Sequence, residues 1–474
     1  MSGRYKGKRI TIMGLGTRGG GLGVARFLAA EGALLTVTDR RSEEDLASSI
    51  RDLHGLPIRF VLGRHDERDF TREGADIVIR NPGVRRNSPL LRLAREHGVA
   101  IEMEMSLFFR ACLAPIIGIT GTKGKTTTST ICASILQSWD PRTVLAGNMG
   151  ISALEQLPRI APDTPVIIEL SSWQLEALDE HRLAPHIGVL TNISEDHLDV
   201  YDGFADYAAT KRTITRNQTR DDVLIVNRTD EEAWKASKET TARVVPFADT
   251  RRDELGMWVD NRRLVWRTDN GSTEIPIPEN PALTGSRQAA NAAAAAAAAL
   301  IQGASVDAVG RGLRGFSGIQ NRFERVAVTA GVEYINDTSA TAPVAAIAAL
   351  ERLPGRRIHL LAGGAGKQTD LSTFADAVQA SVHGVYLLNG TATPDLESLL
   401  AARQVPLRGP YDSMARAVDA ASHAATSGDV VLLSPGCASF GLFRDEFDRG
   451  DKFREAVRLV ADRLNLTAQE ASRS

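Results

Sequence analysis

The run GITGTKGKTTT, residues 118–128, sets glycine, lysine and threonine in an order suited to gripping phosphate. Glycines let main-chain N–H groups converge on an anion, and Gly121 and Gly124 tolerate the backbone angles such a loop needs. Lys125 can reach β- and γ-phosphates as a point charge, and the Thr126 hydroxyl suits Mg2+. The general phosphate loop has four residues between its glycines, whereas Gly118 and Gly124 enclose five. Downstream, Glu169 ends the apolar run VIIEL. Four apolar neighbours make a casually placed carboxylate costly there, and a strand-end carboxylate beside a phosphate loop suits magnesium. EDHLD gathers Glu195, Asp196, His197 and Asp199. A zinc site would need three or four ligands and finds no companions, and His197 could equally cap a helix. Lys211, fourteen residues after His197, reads on composition alone as a solvated helix lysine.

A second glycine cluster, GLGTRG, fits GxGxxG through Gly14, Gly16 and Gly19, with Asp39 twenty residues after Gly19 at a strand end. That is the dinucleotide fingerprint in its expected context, so a nicotinamide-dependent oxidoreductase is a rival reading. The separate phosphate loop and the acidic cluster beyond it suit magnesium better than hydride transfer.

These residues can work together only if strand ends present them. Three strand-rich blocks do so. The first opens with a strand over Arg9–Met13, a helix over Leu22–Glu31 and a strand over Leu34–Asp39, a βαβ start; ADIVIRNPG adds a later strand. In the second, a strand over Pro115–Ile119 enters the phosphate loop and a helix over Thr126–Gln137 leaves it. Val166–Leu170, Ile187–Asn192 and Val223–Asn227 are short apolar runs at helical separation, as parallel sheets require. Residues 242–278 alternate and carry turns, which predicts a small antiparallel insert; RQAANAAAAAAAALIQG predicts a strong helix ended by Gly303. In the third, GVEYINDT, IHLLAGG, GVYLLNG and DVVLLSPG each end in a polar or glycine turn, where α/β sheets place ligands. The expected fold class is α/β with three domains: a Rossmann-like domain over 1–103, a phosphate-loop domain with a central parallel sheet and the antiparallel insert over 104–318, and a Rossmann-like domain over 319–474.

A chain of 474 residues is too long for one ordinary core. Its formal net charge of −2 provides no global basic field, which argues against nucleic acid as the main partner. Cys112, Cys132 and Cys437 are distant and odd in number, pointing to a reducing compartment and no disulfide framework. The N-terminus lacks a long apolar stretch, and the run Ala292–Ile301 is too short to span a membrane. A cytoplasmic location without membrane insertion is expected.

Taken in order, GTKGKTTT, IELSSWQL, NISEDHLDVY, YAATKR, NRFE, INDTSAT and LLSPGCASF resemble the motifs of the Mur ligases across nearly the whole chain. The resemblance implies a UDP-binding, an ATP-binding and an amino-acid-binding domain. It also implies a step of peptidoglycan precursor synthesis, and through it cell shape and division. ATP phosphorylates a carboxylate of UDP-linked muramoyl-alanine, the amine of an incoming glutamate, D-glutamate as the first expectation, attacks the acyl phosphate, and ADP and phosphate leave. It implies Lys125, His197 and Lys211 as catalytic, and Thr126, Glu169, His197 and Lys211 as holders of two Mg2+ ions, with Lys211 carbamylated by CO2 and Asp196 in support. ATP contacts fall to Gly121, Thr122, Lys123, Gly124, Lys125, Thr126, Thr127, Asn291, Arg322 and Asp337, with Gln288 replacing a family asparagine. Thr17, Arg18, Asp39, Arg40, Asn81, Gly83 and Asn148 are implied for the UDP substrate, and Thr341, Lys367 and Ser439 for glutamate. The family often reads D-S-K-A-T where this chain has Ser339 in place of the lysine, and Glu446 stands where an aromatic often sits, with Phe447 beside it. Losing a cation near a dicarboxylate leaves L-glutamate, or another amino acid added by a sibling ligase, as alternatives; a folate-type polyglutamate ligase is disfavoured by the long UDP-type domain. A monomer acting on small molecules is expected. Cys437 reads as a small buried filler, since no paired base is evident.

Overall fold

A computed structural model of the protein describes residues 3–16, 20–196, 200–366 and 370–471. Thr17, Arg18, Gly19, His197, Asp199 and Lys367 lie outside the described residues. The chain forms two compact units that divide between Phe316 and Ser317.

The first unit holds two sheets. One is all parallel, in the order β3-β2-β1-β4-β5, built from β1 (Arg9–Met13), β2 (Leu34–Asp39), β3 (Ile58–Leu62), β4 (Ile77–Arg80) and β5 (Ala100–Glu102). The order reverses between β1 and β4, so a crevice opens beyond their carboxyl ends. The glycine cluster follows β1 there.

The other sheet is β14-β13-β12-β11-β10-β9-β6-β8-β7. Its strands are β6 (Ile116–Thr120), β7 (Val144–Gly147), β8 (Val166–Glu169), β9 (Ile187–Leu190), β10 (Val223–Asn227), β11 (Arg243–Phe247), β12 (Gly256–Asp260), β13 (Arg263–Thr268) and β14 (Gly271–Pro276). Strands β6, β8 and β9 are buried on every residue, as strands covered by helices on both faces must be. The chain places β7 and β8 on one side of β6 and β9 onward on the other, so the phosphate loop after β6 lies at a switch point. The antiparallel region is present as β12-β13-β14, but it extends the main sheet, and RVVPF belongs to the parallel part, with Val223 opposite Arg243 through Asn227 opposite Phe247. A period of two marks a half-buried strand whatever the direction of its partner, which is why alternation alone placed β11 in the insert.

The helix Lys125–Gln137 leaves the phosphate loop and packs against the alanine-rich helix Ser286–Gln302, whose Ala292–Ala299 stretch is fully buried. Alanine lets the two backbones approach closely. Gly303, at φ +110°, ends the helix.

The two sheets of this unit meet through polar contacts as well. Arg80, at the end of β4, donates to Glu176 Oε2 at 2.7 Å, a largely buried pair. Glu104 Oε1 accepts from Ser152 Oγ at 2.6 Å and from the Ala153 amide at 3.0 Å. Burial raises the Glu104 pKa from 4.5 to about 7 against those hydrogen bonds, with Glu155 adding to the rise. The folded chain therefore keeps this proton at a pH where the unfolded chain has lost it. The stability it contributes is full below about pH 4.5 and drains as pH rises through about 7. Glu104→Gln is expected to remove this dependence. The melting temperature of the wild type, relative to the variant, falls between pH 4.5 and 7; a constant difference across that window would contradict the assignment.

The second unit is the sheet β15-β16-β20-β17-β18-β19, formed by β15 (Glu324–Thr329), β16 (Val332–Asn336), β17 (Ile358–Ala362), β18 (Val382–Leu388), β19 (Leu407–Tyr411) and β20 (Val430–Leu433). All pairs are parallel except β15 with β16. Strand β20 enters between β16 and β17, so the loops after these three strands lie side by side.

Candidate active site

The phosphate loop is shaped by its neighbours. Gly121, at φ +147°, sits where a Cβ would lie 1.9 Å from Thr191 Oγ1, and Gly124, at φ +87°, where it would lie 2.6 Å from Asn291 Oδ1. Both positions demand glycine. Gly124→Ala is expected to cost about 1–2 kcal/mol of stability from the left-handed backbone alone. It also pushes Asn291 off the loop, so nucleotide binding weakens with it; calorimetric titration and melting together check this. Asn192 clamps the loop from the next strand end. Its Oδ1 accepts from the Lys123 amide at 2.9 Å and its Nδ2 donates to the Lys123 carbonyl at 2.7 Å. The Lys125 ammonium donates to the Gly121 and Thr122 carbonyls at 2.8 and 2.9 Å, which holds it over the loop. Lys125 and Thr126 open the following helix, and Thr127 comes next, all three half-buried.

Around this loop the structure gathers Glu169, Asp196 and Lys211. Glu169, at the end of β8, is 2% exposed. Its Oε1 accepts from Asn148 Nδ2 at 3.0 Å, and its Oε2 is buried with no hydrogen-bond partner. An orphaned buried carboxylate oxygen fits a cation ligand, because burying it otherwise costs free energy with nothing in return. Asp196 pairs with Lys123 at 3.2 Å. No group of three or more His, Cys, Asp or Glu forms a ready metal cage among the described residues. A magnesium site here would draw on the Thr126 hydroxyl and on Glu169, consistent with hard oxygen donors.

Lys211 departs from the solvated-helix reading. It is 2% exposed, with Nζ donating to Thr120 Oγ1 at 3.3 Å and lying 5.6 Å from the centre of the Tyr207 ring. Burial first, and the Lys125 ammonium second, hold its pKa well below the ordinary lysine range, while Glu169 and Asp196 act in the opposite sense. The uncharged amine is the form this environment favours. Tyr207, four residues before Lys211 on one helix, was not singled out by sequence reasoning. Its hydroxyl lies 3.2 Å from Thr122 Oγ1, so it ties the lysine's helix to the phosphate loop. The four-residue spacing, which places both side chains on one helix face, was the available signal.

Asn291 is buried and braced, its Oδ1 accepting from Thr128 Oγ1 at 3.3 Å and its Nδ2 donating to Gln288 Oε1 at 3.2 Å. With Thr191, Asn192, Phe247 and Arg287 it lines a cleft next to the loop.

At the first glycine cluster, Asp39 is turned toward the loop itself. Its Oδ2 accepts from the Leu15 amide at 3.0 Å and its Oδ1 from the Arg41 amide at 3.0 Å. Asn81 Nδ2 donates to the Gly14 carbonyl at 3.1 Å, and Asn81 Oδ1 accepts from the Gly83 amide at 3.1 Å. These residues order the crevice between β1 and β4; Arg40 and Gly83 are exposed on its rim. Asn148 is placed against Glu169, at the ends of β7 and β8.

In the second unit, both Asp337 oxygens are used within the protein: Oδ1 accepts from the Phe323 amide at 3.0 Å and Oδ2 from Ser434 Oγ at 2.8 Å. Burial raises its pKa to about 6. Arg322 is exposed at the adjacent turn. Thr341 follows β16 and Ser439 follows β20, at neighbouring strand ends. Cys437 is buried, as a filler would be.

Comparison with known proteins bears on all three sheets. Residues 8–102 match the family description "Mur ligase MurD-like, N-terminal domain", 119–299 the "Mur ligase middle domain", and 321–437 the "Mur ligase, glutamate ligase domain". A UDP-N-acetylmuramoylalanine–D-glutamate ligase of Roseiflexus sp. (strain RS-1) is 46% identical over 463 residues, covering 95% of this chain and 98% of its own length. This chain belongs to the Mur ligase family. A Mur ligase relative of the same description from Trichlorobacter lovleyi is 37% identical, covering 95% of this chain and 98% of its own. The crystal structure of UDP-N-acetylmuramate–alanine ligase from Thermotoga maritima shares the Mur ligase fold, with a TM-score of 0.57 at 20% identity, covering 96% of this chain and all of that one. Membership makes the chain an ATP-dependent ligase and removes the oxidoreductase reading of the first glycine cluster. Among the described residues no helix is long and apolar enough to cross a membrane.

Proposed function

We propose that this Mur ligase joins D-glutamate to UDP-N-acetylmuramoyl-L-alanine in peptidoglycan precursor synthesis, releasing ADP and phosphate. The observation that carries the choice of substrates is the match along 95% of the chain to relatives bearing that name. The proposed division is UDP binding in 1–103, ATP binding in 104–318 and amino-acid binding in 319–474, in a cytoplasmic monomer.

A carboxylate is a poor electrophile, and phosphorylation equips it with a leaving group. The alanyl carboxylate attacks the γ-phosphorus, ADP departs, the glutamate amine attacks the acyl phosphate, and an amide and phosphate result. In this reading the loop amides and Lys125 cradle the phosphates and hold negative charge as the phosphoryl group moves. Gly121–Thr127 and Asn291 hold ATP, the purine lying in the cleft beside Asn291; Arg322 and Asp337 belong to the same reading. Thr126 and Glu169 hold one Mg2+, and His197 with carbamylated Lys211 a second. When bound, magnesium supplies charge neutralisation on the transferring phosphates. The uncharged Lys211 amine adds CO2 and releases a proton, becoming a carbamate. This replaces a repelling cation with an anionic oxygen donor. Thr17, Arg18, Asp39, Arg40, Asn81, Gly83 and Asn148 shape the UDP-substrate site, Asp39 and Asn81 by ordering the loop. Thr341, Lys367 and Ser439 receive glutamate. Water must be kept from the acyl phosphate, which it would otherwise hydrolyse.

The test is phosphate release from ATP and Mg2+ with UDP-N-acetylmuramoyl-L-alanine and each glutamate enantiomer. Release that requires the UDP substrate and D-glutamate is expected. Release with L-glutamate alone overturns the stereochemical choice, and no substrate-dependent release overturns the ligase reading.

A further inference from the structure

Arg449 is among the most deeply buried side chains of the protein, with no exposed surface. It projects from the first turn of the helix Glu446–Ala471 beneath the strand ends of the second unit. Its Nε donates to Thr338 Oγ1 at 2.9 Å, its Nη2 to the Thr338 carbonyl at 2.9 Å, and its Nη1 to the Cys437 carbonyl at 3.1 Å. Thr338 lies on the loop after β16, three residues before Thr341. Cys437 lies on the loop after β20, two residues before Ser439. The loop after β17 closes the set. A Cβ on Gly364 would stand 3.5 Å from Arg449 Nη1, and Ala365 and Ala438 exchange main-chain hydrogen bonds at 2.9 and 3.1 Å. The Gly436 amide donates to the Ala340 carbonyl at 2.9 Å, joining the outer loops directly. One guanidinium thus sits at the meeting point of three loops.

All three of its acceptors are neutral. Among the described residues no carboxylate lies within ion-pair distance of Arg449; Glu446, three residues earlier on the same helix, and Cys437 act on it only electrostatically. Burial lowers its pKa to about 10, which still leaves it charged at neutral pH. A buried cation held by dipoles alone is costly to the fold. In the dry interior its field is poorly screened and extends to the loops it holds. The incoming amino acid carries two carboxylates, and this chain has Ser339 where the resembling sequences often place a lysine.

We propose that Arg449 is a positioning residue for the amino-acid substrate. It fixes the loops bearing Thr341 and Ser439, and it supplies the buried positive charge that favours a dicarboxylate. The inference rests on the glutamate-ligase reading above.

The test uses Arg449→Lys and Arg449→Met in the full chain, with D-glutamate and D-glutamine as acceptors and melting curves in parallel. Lysine keeps the charge but cannot hold both loops. Its KM for D-glutamate is expected to rise roughly tenfold, with KM for ATP and for the UDP substrate unchanged and the preference for glutamate over glutamine retained. Methionine removes the charge, and that preference is expected to fall roughly tenfold. A purely structural residue would move all three KM values together and leave the preference intact; that outcome overturns the proposal. If the methionine variant does not fold, the lysine variant decides alone: an unaltered KM for D-glutamate overturns the proposal. Absence of glutamate-dependent release by the wild type overturns the ligase reading and this inference with it, so the two failures are told apart by the wild-type control.

Discussion

Lys211→Ala is expected to reduce ligation by about 10³-fold, the scale of losing a principal electrostatic group at the reacting phosphates. The variant is expected to recover part of its activity when a short carboxylate such as acetate is added. The argument begins from burial. Lys211 is 2% exposed, its Nζ bonds to the Thr120 hydroxyl, and the Lys125 ammonium disfavours a second positive charge nearby. An uncharged amine is a nucleophile toward CO2. A carbamate there would restore a negative charge able to bind magnesium, and an exogenous carboxylate could enter the space that alanine leaves. Three readouts separate this from a packing role. Enzyme equilibrated with ¹³CO2 is expected to show a carbamate resonance that the variant lacks. Wild-type activity is expected to fall in CO2-depleted buffer and return on adding bicarbonate. Lys211→Met, which refills the volume without a buried amine, is expected to be inactive, beyond rescue by acetate, and no less stable than the wild type. Full activity of the alanine variant, or activity indifferent to CO2 with no carbamate resonance, would rule the role out.

How far such a role could be read beforehand depends on which level of structure sets it. The phosphate loop was legible because its chemistry is local: a buried strand, glycines that no other residue could replace at φ +87° and +147°, and a lysine at the helix start. The parallel strands around it were legible as short apolar runs separated by helices, but their order, which sets β6 at a switch point, was not. Burial of Lys211 did not follow. Its helix, FADYAATKR, has no marked apolar face, and the lysine is enclosed by Thr120 and Tyr207, brought together by the sheet and not by the local pattern. The dinucleotide-like fingerprint shows a related limit. GxGxxG with Asp39 predicted a strand and a helix correctly, yet Asp39 binds the Leu15 and Arg41 amides. Spacing located the carboxylate and could not say whether it faces the ligand or the loop. Arg449 is the extreme case. It stands 111 residues from Thr338 and twelve from Cys437, so only β20 entering between β16 and β17 makes it a shared support. RVVPF, whose alternation is indifferent to strand direction, needed its neighbours for the same reason.

Glu169→Gln is expected to separate function from stability in the opposite sense to an ordinary core substitution. The wild-type side chain is buried, spends Oε1 on Asn148, and leaves Oε2 without a partner. A fold selected for stability alone has little reason to keep that oxygen, because an unsatisfied buried carboxylate costs more than an amide of the same shape. Local cost of this kind is retained where a ligand repays it. Without magnesium, the glutamine variant is therefore expected to melt at or above the wild-type temperature. With a non-hydrolysable ATP analogue present, added Mg2+ stabilises the wild type by mass action, about 2.7 kcal/mol at a hundredfold excess over its dissociation constant. The variant is expected to lose most of that gain. Its turnover is expected to drop about 10²–10³-fold, with partial recovery at high Mg2+ as the weakened site refills. The melting experiment is the sharper of the two, because it reads the metal without requiring the reaction. Equal magnesium-dependent stabilisation of both proteins would mean that the orphaned oxygen serves something other than the cation, and the ligand role assigned to Glu169 would fall with it.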